Sequence, residues 1–125
     1  MGFLTSAAGA FDREAMHLAT VLTRIDAHVA AQVIPPRATL RELLQDSSGA
    51  LGRSLEWLDG PGNPLRAAPT DAIHAAAEGR RELYAALRGD GDVLAHLRCA
   101  RPSLEQGRIG VLALRDAARA MHDAA

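Results

Sequence analysis

The 125-residue sequence contains no lysine, a single cysteine and only four aromatic residues, Phe3, Phe11, Trp57 and Tyr84. Each shortage closes off a class of structure. Cys99 alone excludes an internal disulfide and a cysteine-based metal knuckle, and it points to a reducing, cytoplasmic setting. With so few aromatics the core must be built from Leu, Val, Ile and Ala. No apolar run approaches the roughly 20 residues of a membrane span, because Arg, Asp, Glu or His interrupts each long segment. The opening stretch MGFLTSAAGAFDRE has no basic segment followed by an apolar one, so no signal peptide is expected, and Gly2 with Ser6 is too slight a pattern to read as a myristoylation site. Alternating strand patterns, a glycine-rich phosphate loop, a nucleophile elbow and a histidine partner for Cys99 are also missing.

The missing lysines are replaced by 14 arginines, which reads as a bacterial genome rich in G and C. Against 15 acidic residues they leave a net charge of −1. Residues 1–79 carry 6 Arg and 9 acids, and residues 80–125 carry 8 Arg and 6 acids. That asymmetry is too weak for an electrostatic footprint on DNA.

What the chain has in abundance is helix-forming Ala and Leu at helical spacing. From Phe11 to Ile34 the residues Phe11, Ala15, Leu18, Leu22, Ile25 and Val29 recur at steps of four and three, forming one stripe that needs a partner. Pro35 and Pro36 end this helix, and Ser6 or Asp12 is its expected start. Thr39 and Glu42 have capping-box spacing before a second helix with Leu40, Leu44, Leu51, Leu55 and Leu58 on one face. That face is continuous across Ser47, Ser48, Gly49 and Gly52, which favours one helix over two. Residues 59–69 hold three prolines and two glycines and form a loop, with Trp57 anchoring the preceding helix on the core. Thr70 caps a third helix that buries Ile73, Ala77, Tyr84 and Leu87 and stops at Gly89. Pro102 divides the remainder, with Ser103 and Gln106 as a further capping box; the two parts are either separate helices or one kinked helix.

The expected fold is therefore all-α, a four- or five-helix antiparallel bundle with short loops, forming a single domain over 1–125. Its helices are expected near 6–34, 38–59, 70–88, 91–101 and 103–122. Area scaling gives roughly 6,400 Å² of folded surface for this mass, enough burial for an independent core. Gly49 with Gly52, and Gly107 with Gly110, are read as small-residue contacts between helices, within a chain or between copies. Cys99 is read as a small buried residue.

Several groups carry possible chemistry. Glu14, His17, Arg24 and His28 form a polar stripe beside the apolar face of the first helix, a candidate patch for an anionic ligand or partner together with Asp26. His17 and His28 lie about 16 Å apart along the axis, too far to share a metal. Glu14 with His17 and Asp71 with His74 are acid-x-x-His pairs, the only ones at metal-ligand spacing. They resemble the Glu-x-x-His motifs of ferritin-like di-iron bundles. That resemblance implies a di-metal site completed by carboxylates from Glu42, Glu56 or Glu105, although the second pair begins with Asp. Arg115 and His122 have the Arg-x6-His spacing of helical ribonucleases of the HEPN superfamily. That likeness implies metal-independent general acid/base cleavage of RNA at a dimer face, with Asp116 where a polar residue commonly follows the Arg.

The reading that uses most of the sequence is a small soluble binding protein: an adaptor, regulator or accessory subunit acting through protein contacts and self-association as a homodimer, with no cofactor. The Ala- and Gly-rich faces motivate it. The alternative is an enzyme on a helical bundle, using one of the two candidate sites above.

Overall fold

The computed structural model describes residues 2–125, and those residues form helices and connecting turns. The order is α1 (Phe3–Ala31), α2 (Arg37–Glu56), α3 (Asp71–Ala75), α4 (Ala77–Arg88) and α5 (Val93–Ala124). The most extensive packing is α1 against α5; α2 packs on α1 and α4, and α3 and α4 pack on α5. The result is an all-α bundle of four packed helical columns, the third being α3 and α4 together, with an exposed surface of 6713 Å². Among the described residues no helix is long and apolar enough to cross a membrane.

The first helix begins earlier than its capping residues imply. Gly2 occupies the N-cap position and Ser6 lies inside the helix, because Ala7, Ala8, Ala10 and Phe11 extend the buried stripe toward the N-terminus. The helix ends at Ala31, three residues short of the expected limit. Gln32 adopts a left-handed conformation (φ 55°) and its N–H reaches back to the final turn, which frees Val33 and Ile34 to meet the prolines in extended form. In α2 the capping position belongs to Pro36, so Thr39 falls within the first turn. The helix runs unbroken through Ser47 and Ser54, whose buried hydroxyls donate to the carbonyls of Leu43 and Ala50, 2.7 and 2.8 Å away. Each hydroxyl is thereby satisfied without leaving its own helix.

Two boundaries differ from the expected ones. The segments expected at 91–101 and 103–122 are a single 32-residue helix with Pro102 inside it. Asp92 starts this helix by accepting from the N–H groups of Leu94 and Ala95. Proline removes only the bond to the Arg98 carbonyl, and Arg98, Cys99 and Pro102 are on the exposed side, so that carbonyl is open to solvent rather than stranded in the core. Leu97, Ala100, Leu104 and Gly107 keep the inner face continuous across the proline. Conversely, the helix expected over 70–88 breaks at Ala76, giving α3 and α4.

That break lies where α3 and α4 press against α5. A Cβ placed on Gly107 would stand 2.8 Å from the Ala76 Cβ, and one on Gly110 would stand 3.0 Å from the Ala72 Cβ. On the opposing element, a Cβ on Gly79 would meet Leu104 at 2.8 Å and the Ala100 carbonyl at 2.9 Å. Ile73, Ala76 and Gly79 thus face Gly110, Gly107 and Leu104 in antiparallel order, in steps of three on both sides. Gly49 and Gly52 behave otherwise. Gly49 lies against its own helix's Arg53 side chain and Gly52 has open space, so neither makes a close contact with another helix of the chain. Both are on the outer part of the helix, and Ser47, Ala50, Leu51 and Ser54 occupy its inner face.

The buried side chains form two clusters. One gathers Phe11, Leu18, Leu51, Leu65, Ile73 and Leu114, and Trp57 packs on its edge with its ring centroid 5.6 Å from that of Phe3. The other gathers Leu22, Ile25, Leu43, Leu83, Leu97 and Leu104. In the 57–65 connection the Asn63 side chain donates to the Trp57 and Asp59 carbonyls and accepts from Leu65 N–H, which seats Leu65 in the core. Two residues expected inside face water. Cys99 is exposed because Leu97 and Ala100 take the inward positions, and Tyr84 is exposed because Leu83 and Ala86 do.

The glycine contacts predict opposite outcomes for one substitution. Gly79→Ala forces Leu104 and the α5 backbone apart and is expected to destabilise the fold by about 1–3 kcal/mol. Gly52→Ala meets nothing and is expected to stabilise it by about 0.5–1 kcal/mol. Urea unfolding of the two variants checks both signs.

Candidate functional site

The polar stripe of α1 is divided between two neighbouring helices. The buried Glu14 carboxylate accepts from Arg53 of α2 through both oxygens, at 2.5 Å from Nε and 3.0 Å from Nη2. Arg24 donates to Glu42 of α2 at 2.9 Å. On the other flank, Asp26 holds Arg101 of α5, and Asp12 holds both Arg115 and Arg119 of α5, each at 2.9 Å at its shortest. His17 is mostly exposed and stands 3.9 Å from the Glu14 carboxylate. His28 turns toward the helix end, with Nδ1 3.0 Å from the Val33 carbonyl. Glu14, His17, Arg24 and His28 therefore do not converge: the two charged members join α1 to α2, and the two histidines lie near opposite ends of the stripe.

The acid-x-x-His pairs are also kept apart. Asp71 and His74 project from the exposed side of α3, which packs on α5 and α4, while Glu14 and His17 flank α2. His74 lines a recess with Asp59, Arg66 and Thr70. Among the described residues, no three His, Cys, Asp or Glu side chains are grouped so as to hold a metal ion. Arg115 is held between Asp12 and Asp116, which raises its pKa above its already high ordinary value, chiefly through the bond to Asp12. His122, one helical heptad further on, lines a different recess with Leu4, Asp12 and Arg119.

Three features escaped the sequence reading. The first is His96 on α5, which joins α4: Nδ1 is 2.6 Å from a Glu82 carboxylate oxygen and Nε2 contacts the Asp90 carbonyl. Both ring nitrogens face acceptors, so the doubly protonated ring is the form that satisfies both. The His96 pKa is raised accordingly, first by the Glu82 hydrogen bond and then by Asp90. No neighbouring residue in the sequence announces this contact, since Glu82 lies 14 positions away.

The second is an aliphatic surface at the end of the bundle where α1 and α4 finish and α2 and α5 begin. Val33 and Ile34 in the α1–α2 connection are 54% and 61% exposed. Val29, Leu87, Val93 and Leu94, which border the second core cluster, are only partly covered. Arg37 ties the start of α2 to the end of α4 by donating to the Leu87 carbonyl at 2.6 Å. The third is a cleft of about 540 Å³ between α2 and α4, floored by Leu44, Ala77 and Tyr84 and rimmed by Arg80, Arg81 and Arg88. Its signal in the sequence is GRRELYAALR, with three arginines on one short helix, obscured by the assignment of Tyr84 to the core.

Two expectations follow from these contacts. Because the folded His96 pKa is raised, its stabilising contribution is fully present below the ordinary value near 6.5 and is lost as pH rises through the raised value. Thermal unfolding across that window should show a fall in Tm that His96→Gln removes. For the Glu14–Arg53 pair the two halves are unequal, since Arg53 is 53% exposed while Glu14 is buried. Arg53→Met, which strands a buried carboxylate, should cost about 1–3 kcal/mol, and Glu14→Met, which leaves a solvated guanidinium, clearly less. Denaturant midpoints measure the difference. In comparisons with models of known families, with curated proteins and with solved structures, the chain matches none of them.

Proposed function

We propose that this chain works by binding, as a small adaptor, regulator or accessory subunit that joins protein partners and pairs with a second copy of itself. The observation that carries this reading is the aliphatic bundle end around Val33 and Ile34. A connection between two helices has no packing need for consecutive branched aliphatic residues facing water. Covering such a side chain contributes on the order of 1.5–3 kcal/mol, and a two-fold contact uses every residue twice. Val29, Leu87, Val93 and Leu94, at the same end of the bundle, are also only partly covered and add to the apolar surface there. The acids and arginines among the site candidates support the reading in another way. Glu14, Arg24, Asp26 and Arg115 are joined to neighbouring helices, a structural use of their charges. The exposed thiol of Cys99 suits a reducing, cytoplasmic setting.

Light scattering over a concentration series tests the self-association. The expected mass rises to twice the 13.2 kDa of the chain, and Val33→Asp with Ile34→Asp returns it to the single-chain value without lowering Tm. A single-chain mass at the highest concentration reached would refute the pairing.

A further inference from the structure

We infer that the cleft between α2 and α4 is a docking groove for an acidic amphipathic segment of a partner protein. The inference rests on the reading of the chain as a binding protein but uses a face distinct from the aliphatic bundle end. Its floor is apolar: Leu44 from α2, with Ala77 and the half-exposed Tyr84 from α4. Ser48 and Ala77 also line it, and their small side chains leave its volume unfilled. Three arginines of α4 form the rim. Arg80 has no ion-pair partner among the described residues. Arg81 holds Glu78 and Arg88 holds Asp90, pairs in which every side chain is more than half exposed. Such pairs are worth about 0–1 kcal/mol, so an incoming carboxylate displaces them at little cost. Arg88 also lies over the Tyr84 ring, 5.0 Å from its centroid, which positions that guanidinium beside the floor. Arg41, three residues before Leu44 and exposed, continues the cationic character along α2.

Charge complementarity selects the occupant. Arg80 and Arg88 are eight residues apart on one helix, about 12 Å along its axis. A helical segment with two carboxylates some two turns apart meets both, and an apolar residue between them covers Tyr84 and Leu44. Guanidinium groups suit this role because their planar donors pair with carboxylates two bonds at a time. The partner contact is thus a helix-in-groove arrangement with an apolar centre and a charged rim.

A fluorescein-labelled helical peptide with two glutamates two turns apart and leucines between them on the same face is the probe. Fluorescence anisotropy with the full chain is expected to give a micromolar Kd that weakens steeply with added salt. Arg80→Ala with Arg88→Ala should weaken binding about tenfold. Tyr84→Ala, which leaves every charge in place, should weaken it severalfold, and thermal unfolding checks that these surface variants remain folded. The Val33→Asp, Ile34→Asp variant should bind the peptide unchanged, which keeps this test separate from that of self-association. Absence of binding, equal binding of a scrambled peptide of the same charge, or tighter binding of a single-stranded oligonucleotide would each overturn the inference. So would loss of peptide binding in the Val33→Asp, Ile34→Asp variant.

Discussion

The alignment of α1 with α5 is the constraint on which the other contacts depend, and it is set by charges spaced equally on two antiparallel helices. Asp12 and Asp26 are 14 residues apart on α1, and their partners Arg115 and Arg101 are 14 apart on α5. Both intervals span about 21 Å, so the two bonds close together only in one register. Phe11, Leu18 and Ile25 fill the seam beside them. Ion pairs this exposed add little stability individually. Their effect is on alignment: sliding either helix by a turn would separate both pairs at once, in addition to unseating the packed seam. The contacts of Arg53 with Glu14 and of Glu42 with Arg24 do the same for α2.

Once α5 is placed, small residues decide how the third column reaches it. Gly107 and Gly110 on α5, and Ala76 and Gly79 opposite, let backbones approach where any larger side chain would hold them apart. Ala76 keeps right-handed helical dihedrals and the hydrogen bonds of Ala76 to Ala72 and of Arg80 to Ala76 continue across it, so the interruption between α3 and α4 is slight. On either side of it α3 and α4 each present an inward residue, Ile73 and Leu83. His96 and Glu82 then join the middle of α4 to the start of α5, and the other ring nitrogen of His96 reaches the turn at Asp90.

The fold class was legible because helical spacing of Leu and Ala is a local property, repeated many times along the chain. The loop over residues 59–69 was legible for the same reason, from its prolines and glycines. Positions that depend on phase were harder. Tyr84 lies next to Leu83 in sequence, and only the choice between them decides whether a ring is in the core or on the rim of a groove; Cys99 between Leu97 and Ala100 is the same case. Pro102 left open whether one helix or two follow Asp92, and the structure has one, since the cost of the proline depends on whether water reaches the carbonyl it leaves free. Among the chemical candidates, Glu14 was read as part of a polar stripe and of an acid-x-x-His pair, and in the fold it is buried against α2. Its partner Arg53 lies 39 residues away and no local pattern connects the two. The equal spacing of Asp12 with Asp26 and of Arg101 with Arg115 was present in the sequence, and it is the kind of long-range signal that could have revealed the register.

Two groups among the 14 arginines have different physical roles. Arg24, Arg53, Arg101, Arg115 and Arg119 reach across to carboxylates on another helix and are part of the packing. Arg80, Arg81 and Arg88 sit on one helix, and the pairs they make are with Glu78 and Asp90 from the same stretch of chain. A charge that bridges two helices constrains the fold, and its removal leaves a partner stranded. A charge paired only to its own neighbourhood constrains nothing beyond one turn, and the fold does not require it. Three such arginines around an apolar floor are therefore residues whose placement the bundle itself does not explain, and that is the physical ground for assigning the α2–α4 face to an external partner.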